Sequence, residues 1–336
     1  MVMKLKRLIL AAALGVLTFS STRLFGEDFA ILDSNVNTYG YSLVVNGPNC
    51  SGWNLGADSY KRDWTAWQYV IKHEFGVSSY RVIQDADVTP ANLKNFKVLV
   101  LANNLALDDA ESKTIIDWVR GGGRLIATFG TGYAGIDGGY YRGATNGLHP
   151  LWGDPSTKAN SSYFLGNPRV DVQVTDNTGP LKGFGLGQVI SYGVLSNIVN
   201  HRPTNNKPVE AFLTFDGVMT NYPAVIYNAY SKGQVIYYSF SPEFFVALAY
   251  DTAGHCPDDN RYGMYVIYPN FYSSFGDPAP GLQLCTASDL YAGYYPQFTS
   301  APSSWPCDNG GYYRPDSAFI QTFYQVMKAG LLALKP

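Results

Sequence analysis

Four short stretches of the chain combine side chains of the kinds that move protons, attack carbonyls or bind ions. "SFSPE" sets the Ser241 hydroxyl two residues before the Glu243 carboxylate, at the end of an apolar run. "TFGTG" sets Thr131 between Gly130 and Gly132, a hydroxyl on a turn where glycine relieves backbone strain. The same segment continues as "GTGYAG", which has the spacing of a dinucleotide-binding loop. "DTAGHCPDDN" gathers Asp251, His255, Asp258 and Asp259, donors suited to a divalent cation.

Each has a plainer explanation beside the chemical one. A dinucleotide loop must open a helix whose N-terminus meets the pyrophosphate, and the following "IDGGYYRGATNG" is too glycine-rich to be helical. The acidic cluster fits no EF-hand loop and reads as solvated turn carboxylates, so no metal and no cofactor is expected. Ser-Pro-Glu is a helix start, with Ser241 as cap and Pro242 at the first position. Thr131 would need a base, and His73, His149, His201 and His255 stand in no motif that supplies one. Tyrosines in "GGYYRG", "DLYAGYYPQF" and "GGYYRP" offer faces for sugar rings, although tyrosine also serves simply to pack loops.

The elements that must position these groups alternate between short apolar runs and helical patterns, which predicts βαβ units. "FAILDS", "SSYRVI", "KVLVLAN" and "RLIATF" read as strands, and the unbroken apolar run in the third predicts helices over both faces. Trp64, Trp67, Val70, Ile71 and Phe75 recur at helical spacing before Gly76. Asp108 with Glu111 forms a capping-box pattern, and the helix it opens stops at Gly121 to Gly123. "PAVIYNAY" and "KGQVIYYSF" predict a final pair of strands, and "DSAFIQTFYQVMKAGLLAL" a closing helix.

"WVRGGGRLIATFGTG" together with "PAVIYNAYSKGQVIYYSFSPEFF" resembles the class I glutamine amidotransferase-like fold. The likeness is greatest to its non-catalytic relatives, the trimerisation domain of certain beta-galactosidases and the trehalose-utilisation-like proteins. It covers residues 29–134 and 222–248. In catalytic members, a G-x-C-x-G turn carries the nucleophile and a histidine before Pro-Glu is the base. The resemblance puts Gly130 at the cysteine and Ser241 at the histidine, with Pro242 and Glu243 in register. A serine hydroxyl is no useful base near neutral pH, whereas imidazole, with a pKa of about 6.5, is. The resemblance therefore implies no catalytic residue. It places a ligand groove at the C-terminal ends of the strands, lined by Gly130, Thr131, Gly132, Tyr133, Ser241 and Glu243.

Composition bounds the compartment and partners. Lys4, Lys6 and Arg7 precede an apolar run from Leu8 to Phe19, the plan of a secretory signal peptide over 1–26. That run has 12 residues, against the roughly 20 of a membrane-spanning helix, so no stable membrane anchor is expected. A net charge of -2 and the lack of a basic run later in the chain exclude nucleic acid as a natural partner. Cys50, Cys256, Cys285 and Cys307 suit an oxidising compartment and allow three disulfide pairings.

The expectation is thus a secreted or periplasmic α/β protein, one amidotransferase-like domain over 27–336. It would be a flavodoxin-like three-layer sandwich with a mostly parallel sheet and irregular insertions at about 135–221 and 250–316. The second insertion would be loop-rich and disulfide-stapled. The expected role is non-catalytic, binding carbohydrate or another exported protein, with a homo-oligomer compatible. The competing expectation is a secreted hydrolase of polysaccharide or peptide, using carboxylates such as Asp137, Glu243 or Asp251.

Overall fold

The computed structural model describes residues 27–34, 57–104, 106–132, 147–155, 160–162, 170–193, 198–204, 208–243, 246 and 317–335. The segment 1–26, all four cysteines, Tyr133, Asp137 and the whole of 251–316 lie outside the described residues.

Five strands lie parallel: β1 (Phe29–Leu32), β2 (Tyr80–Ile83), β3 (Val98–Leu101), β4 (Arg124–Thr128) and, far along the chain, β11 (Gly233–Tyr238). Their order across the sheet is β2-β1-β3-β4-β11. β1, β3 and most of β4 are buried on both sides. One face, with Phe29, Ile31, Val98, Val100 and Ile236, packs under the helices α1 (Ala57–Phe75) and α3 (Ser317–Leu334). The alternate residues Ala30, Leu32, Leu99, Leu101 and Val235 pack against Ile115 and Val119 of α2 (Asp109–Arg120). The period of two along each strand thus divides the apolar core into two sets, one for each helical layer.

Local chemistry sets the helix ends. Glu111 donates its N–H to Asp108 Oδ1 at 2.6 Å, while Asp108 donates its own to Glu111 Oε2 at 2.8 Å, a reciprocal cap at the start of α2. Gly76 ends α1 with φ +94° and donates its N–H to the Lys72 carbonyl at 3.0 Å. Between α1 and α3, Glu74 accepts from Tyr324 Oη at 2.6 Å and pairs with Lys328 at 2.8 Å.

The sheet does not stay parallel. β10 (Val218–Tyr230) runs antiparallel to β11, and β9 (Val209–Phe215), β6 (Val170–Val174) and β7 (Val189–Gly193) extend it by three further antiparallel pairings. The result is one mixed sheet of nine strands, order β2-β1-β3-β4-β11-β10-β9-β6-β7, with a separate ribbon of β5 (Asn160–Ser162) and β8 (Ile198–Asn200). This corrects the expectation of a mostly parallel sheet. Three of the added strands come from the stretch read from sequence as an irregular insertion, where short alternating runs are masked by glycine, proline and asparagine. Pro223 sits inside β10 at a shift of register, where the missing N–H breaks no regular ladder. Among the described residues no helix is long and apolar enough to cross a membrane.

Gly233, the first residue of β11, lies tightly against the end of α2 and the turn into β4. A Cβ there would lie 2.1 Å from the Val119 carbonyl oxygen and 2.3 Å from that of Gly123. Both neighbours are backbone and cannot rotate away. Gly233→Ala is expected to cost on the order of 2 kcal/mol, measured as a lower urea midpoint with unchanged slope.

Candidate functional site

The order of the parallel strands reverses between β1 and β3, and open sheets of this kind bind ligands at the C-terminal ends of strands near such a reversal. Polar groups collect at those ends. Ser34, Asn103, Asn104, Thr128, Thr131, Ser239, Ser241 and Glu243 are all buried.

Thr128, the last residue of β4, is the junction. Its hydroxyl accepts the Asn103 N–H at 3.0 Å and donates to Glu243 Oε1 at 2.5 Å. The chain leaving β3, the end of β4 and the chain leaving β11 are therefore joined through one hydroxyl. Thr131 makes a second link. Its hydroxyl accepts the Asn104 N–H at 3.2 Å and lies 2.7 Å and 3.1 Å from the carbonyls of Thr128 and Leu101, to which it donates. Gly132 closes the turn by donating its N–H to the Asn104 carbonyl at 2.9 Å.

The strain of this turn does not fall on Gly130. The left-handed positions are Phe129, φ 48°, and Gly132, φ 71°, with Asn103, φ 54°, facing them at the end of β3. A left-handed phenylalanine is costly, and it is held by its neighbours: its N–H donates to the Tyr238 carbonyl at 2.8 Å, and its own carbonyl accepts from Tyr237 Oη. Of the residues singled out in the sequence, Gly130, Thr131 and Gly132 thus share one turn, and Glu243 reaches it through Thr128. Ser241 sits apart, donating its N–H to Tyr192 Oη at 3.4 Å. Thr128, a polar residue ending an otherwise apolar strand, is the participant that sequence reasoning missed although a signal for it was present.

Behind this turn lies a group with no sequence signal at all. His149, Asp154 and His201 are each 1% exposed and offer ligand atoms within 4.8 Å of one another. His149 opens a short 3-10 turn (His149–Trp152), and Gly153, φ 73°, folds Asp154 back so that it donates its N–H to the His149 carbonyl at 3.2 Å. His201 follows β8. Burial holds the His201 imidazole below its ordinary pKa, against the opposing effect of Asp154. The remaining described histidine, His73, lies on α1, 2.8 Å from Tyr324 Oη.

A second carboxylate cluster caps α2. Burial pushes Glu111 up to about 7 against the opposing Asp108 N–H, and the nearby Asp85 and Asp108 charges add to the rise. Glu210, in β9, is likewise raised to about 7 by burial, although its Oε2 accepts the Leu181 N–H at 2.9 Å.

Residues 51–251 match the family model of the beta-galactosidase trimerisation domain. The chain belongs to that family. The likeness to beta-galactosidase trimerisation domains, read from the helix-glycine-strand segment and the later hairpin, is borne out by this match. No curated protein matches the chain. Among solved structures, the beta-galactosidase of Bacillus circulans sp. alkalophilus is 16% identical with a TM-score of 0.46, covering 64% of this chain and 29% of its own. That of Rahnella sp. R3 is 18% identical with a TM-score of 0.46, covering 67% and 31%. A ThuA-like protein from Bacteroides uniformis is 13% identical with a TM-score of 0.42, covering 68% and 94%. The chain therefore spans about three tenths of the length of these beta-galactosidases.

Glu111 makes stability depend on pH in a defined direction. Its folded pKa lies above its ordinary 4.5, so its contribution is full below about pH 4.5 and is lost as pH rises towards about 7. Glu111→Gln keeps a capping side chain and removes the charge. It is expected to flatten the stability profile over that window by up to about 3 kcal/mol, so that the variant gains on the parent at pH 8, checked by urea denaturation across pH.

Proposed function

We propose that this chain is a non-catalytic assembly domain, exported from the cytoplasm and associated with carbohydrate-processing proteins. Its flavodoxin-like parallel core would descend from amidotransferase-like ancestors. The observation that carries the reading is the bonding of the crevice: the Thr131 hydroxyl is occupied by main-chain groups of Leu101, Thr128 and Asn104, and Glu243 is buried against Thr128. A hydroxyl tied to two carbonyls has no base to activate it. The described imidazoles lie with other partners, His73 with Tyr324 and His149 and His201 with Asp154. Membership of the beta-galactosidase trimerisation-domain family supports both an assembly role and the link to carbohydrate.

The surface offers a place for self-association. Among the described residues β7 is a terminal strand, and a terminal strand presents open N–H and C=O groups to another chain. Val189 on it is 51% exposed and Leu186, just before it, 67%. Such side chains at a sheet edge invite a second copy of the chain.

The untagged protein is expected to sediment as an oligomer, and Leu186→Asp with Val189→Lys to shift it to monomer while leaving its circular dichroism unchanged. A parent that sediments as a monomer would remove the assembly reading. Hydrolysis of glutamine or of galactosides that is lost in Glu243→Gln would overturn the non-catalytic one.

A further inference from the structure

In the His149, Asp154 and His201 cluster, both imidazoles stand beside one buried carboxylate at more than hydrogen-bond distance. Asp154 Oδ2 lies 3.4 Å from His201 Nδ1 and 3.8 Å from His149 Nδ1. Both exceed the roughly 2.7–3.2 Å of a hydrogen bond between nitrogen and oxygen. The shorter matches the separation of about 3.3 Å between ligand atoms that bonds of 2.0–2.1 Å to a tetrahedral zinc ion require, and all three ligand atoms lie within 4.8 Å of one another. Neither ring nitrogen of His201 makes a hydrogen bond, although the side chain is 1% exposed. A buried imidazole with neither nitrogen in a well-formed hydrogen bond is costly unless something else engages it.

The surroundings suit an ion held out of solvent. The His201 ring stands edge-on to that of His149 at 4.4 Å and to that of Tyr237 at 4.7 Å, and Trp152 lies 5.8 Å away. The Arg202 N–H donates to Asp154 Oδ2 at 3.1 Å, fixing the carboxylate from outside as second ligands around metal sites commonly do. Two imidazoles and one carboxylate are the donors that zinc and its neighbours accept, whereas calcium and magnesium want more oxygens.

We propose that His149, Asp154 and His201 bind one divalent transition-metal ion of the zinc class. The ion fastens the 149–154 turn to the segment after β8, directly behind the Tyr237 ring whose hydroxyl holds the strained Phe129 carbonyl. Its role is structural. The inference is independent of the assembly function, since it concerns the inner face of the turn and not the sheet edge.

Untagged full-length protein, stripped with a chelator and dialysed, is titrated with Zn2+ and separately with Co2+. One equivalent bound per chain is expected, with the visible bands of tetrahedral cobalt and a melting temperature that rises on metal addition. His201→Gln and Asp154→Asn are expected to abolish stoichiometric binding and the metal-dependent rise. No saturable binding by the parent overturns the proposal, as does undiminished binding by folded variants. Should the variants fail to fold, zinc-edge X-ray absorption of the parent decides: imidazole scattering with a nitrogen and oxygen shell supports the site, and sulfur in that shell overturns it by placing the ion on cysteines.

Discussion

A single buried hydroxyl, that of Thr128, ties together the strand ends at the candidate site. It accepts from the backbone after β3 and donates to a carboxylate carried by the chain after β11, so the ends of three neighbouring segments are tied at one atom. A buried carboxylate must be hydrogen-bonded or neutralised, because removing it from water is otherwise expensive. Glu243 is fully buried, and the link to Thr128 is part of what makes that burial tolerable. The same bond occupies the Thr128 hydroxyl and one oxygen of Glu243.

The strain in the turn fits this picture. A nucleophile elbow concentrates unfavourable backbone geometry on the reactive residue. Here that geometry falls on Phe129 and is held by main-chain contacts to β11 and by the Tyr237 hydroxyl. Gly130, at the position the amidotransferase likeness assigns to cysteine, is not where the turn is left-handed. Tyr237 in turn packs on Trp152 and His201, with ring centroids at 4.7 Å in both cases, so the turn and the buried histidine cluster form one continuous layer under α2. The antiparallel half of the sheet adds a different resource, a terminal strand with exposed apolar side chains on the far side from the crevice.

Much of the parallel half was legible because its signals are local. Strands buried on both faces show as unbroken apolar runs, and the Asp108 and Glu111 cap needs only residues three apart. The antiparallel half was not, because β6 and β7 lie among turn-forming residues and β6, β7 and β9 interleave polar with apolar residues instead of showing an unbroken apolar run. Of the crevice, Thr131 and Glu243 were visible through the amidotransferase likeness. Thr128, Asn103 and Asn104 were passed over as strand ends.

The sequence by itself determined which residues are apolar at which period, where helices begin and end, and that neither a thiol nor an imidazole stands at the two motif positions, Gly130 and Ser241. Those properties depend on neighbours within a few residues, which any conformation of the chain keeps close. Tertiary structure alone decided the direction of the added strands, the meeting of Thr128 with Glu243, and the gathering of His149, Asp154 and His201. Each of these joins residues distant in the chain, and their contact depends on the register of strand pairing and on how two helical layers cover the sheet, which no local pattern encodes.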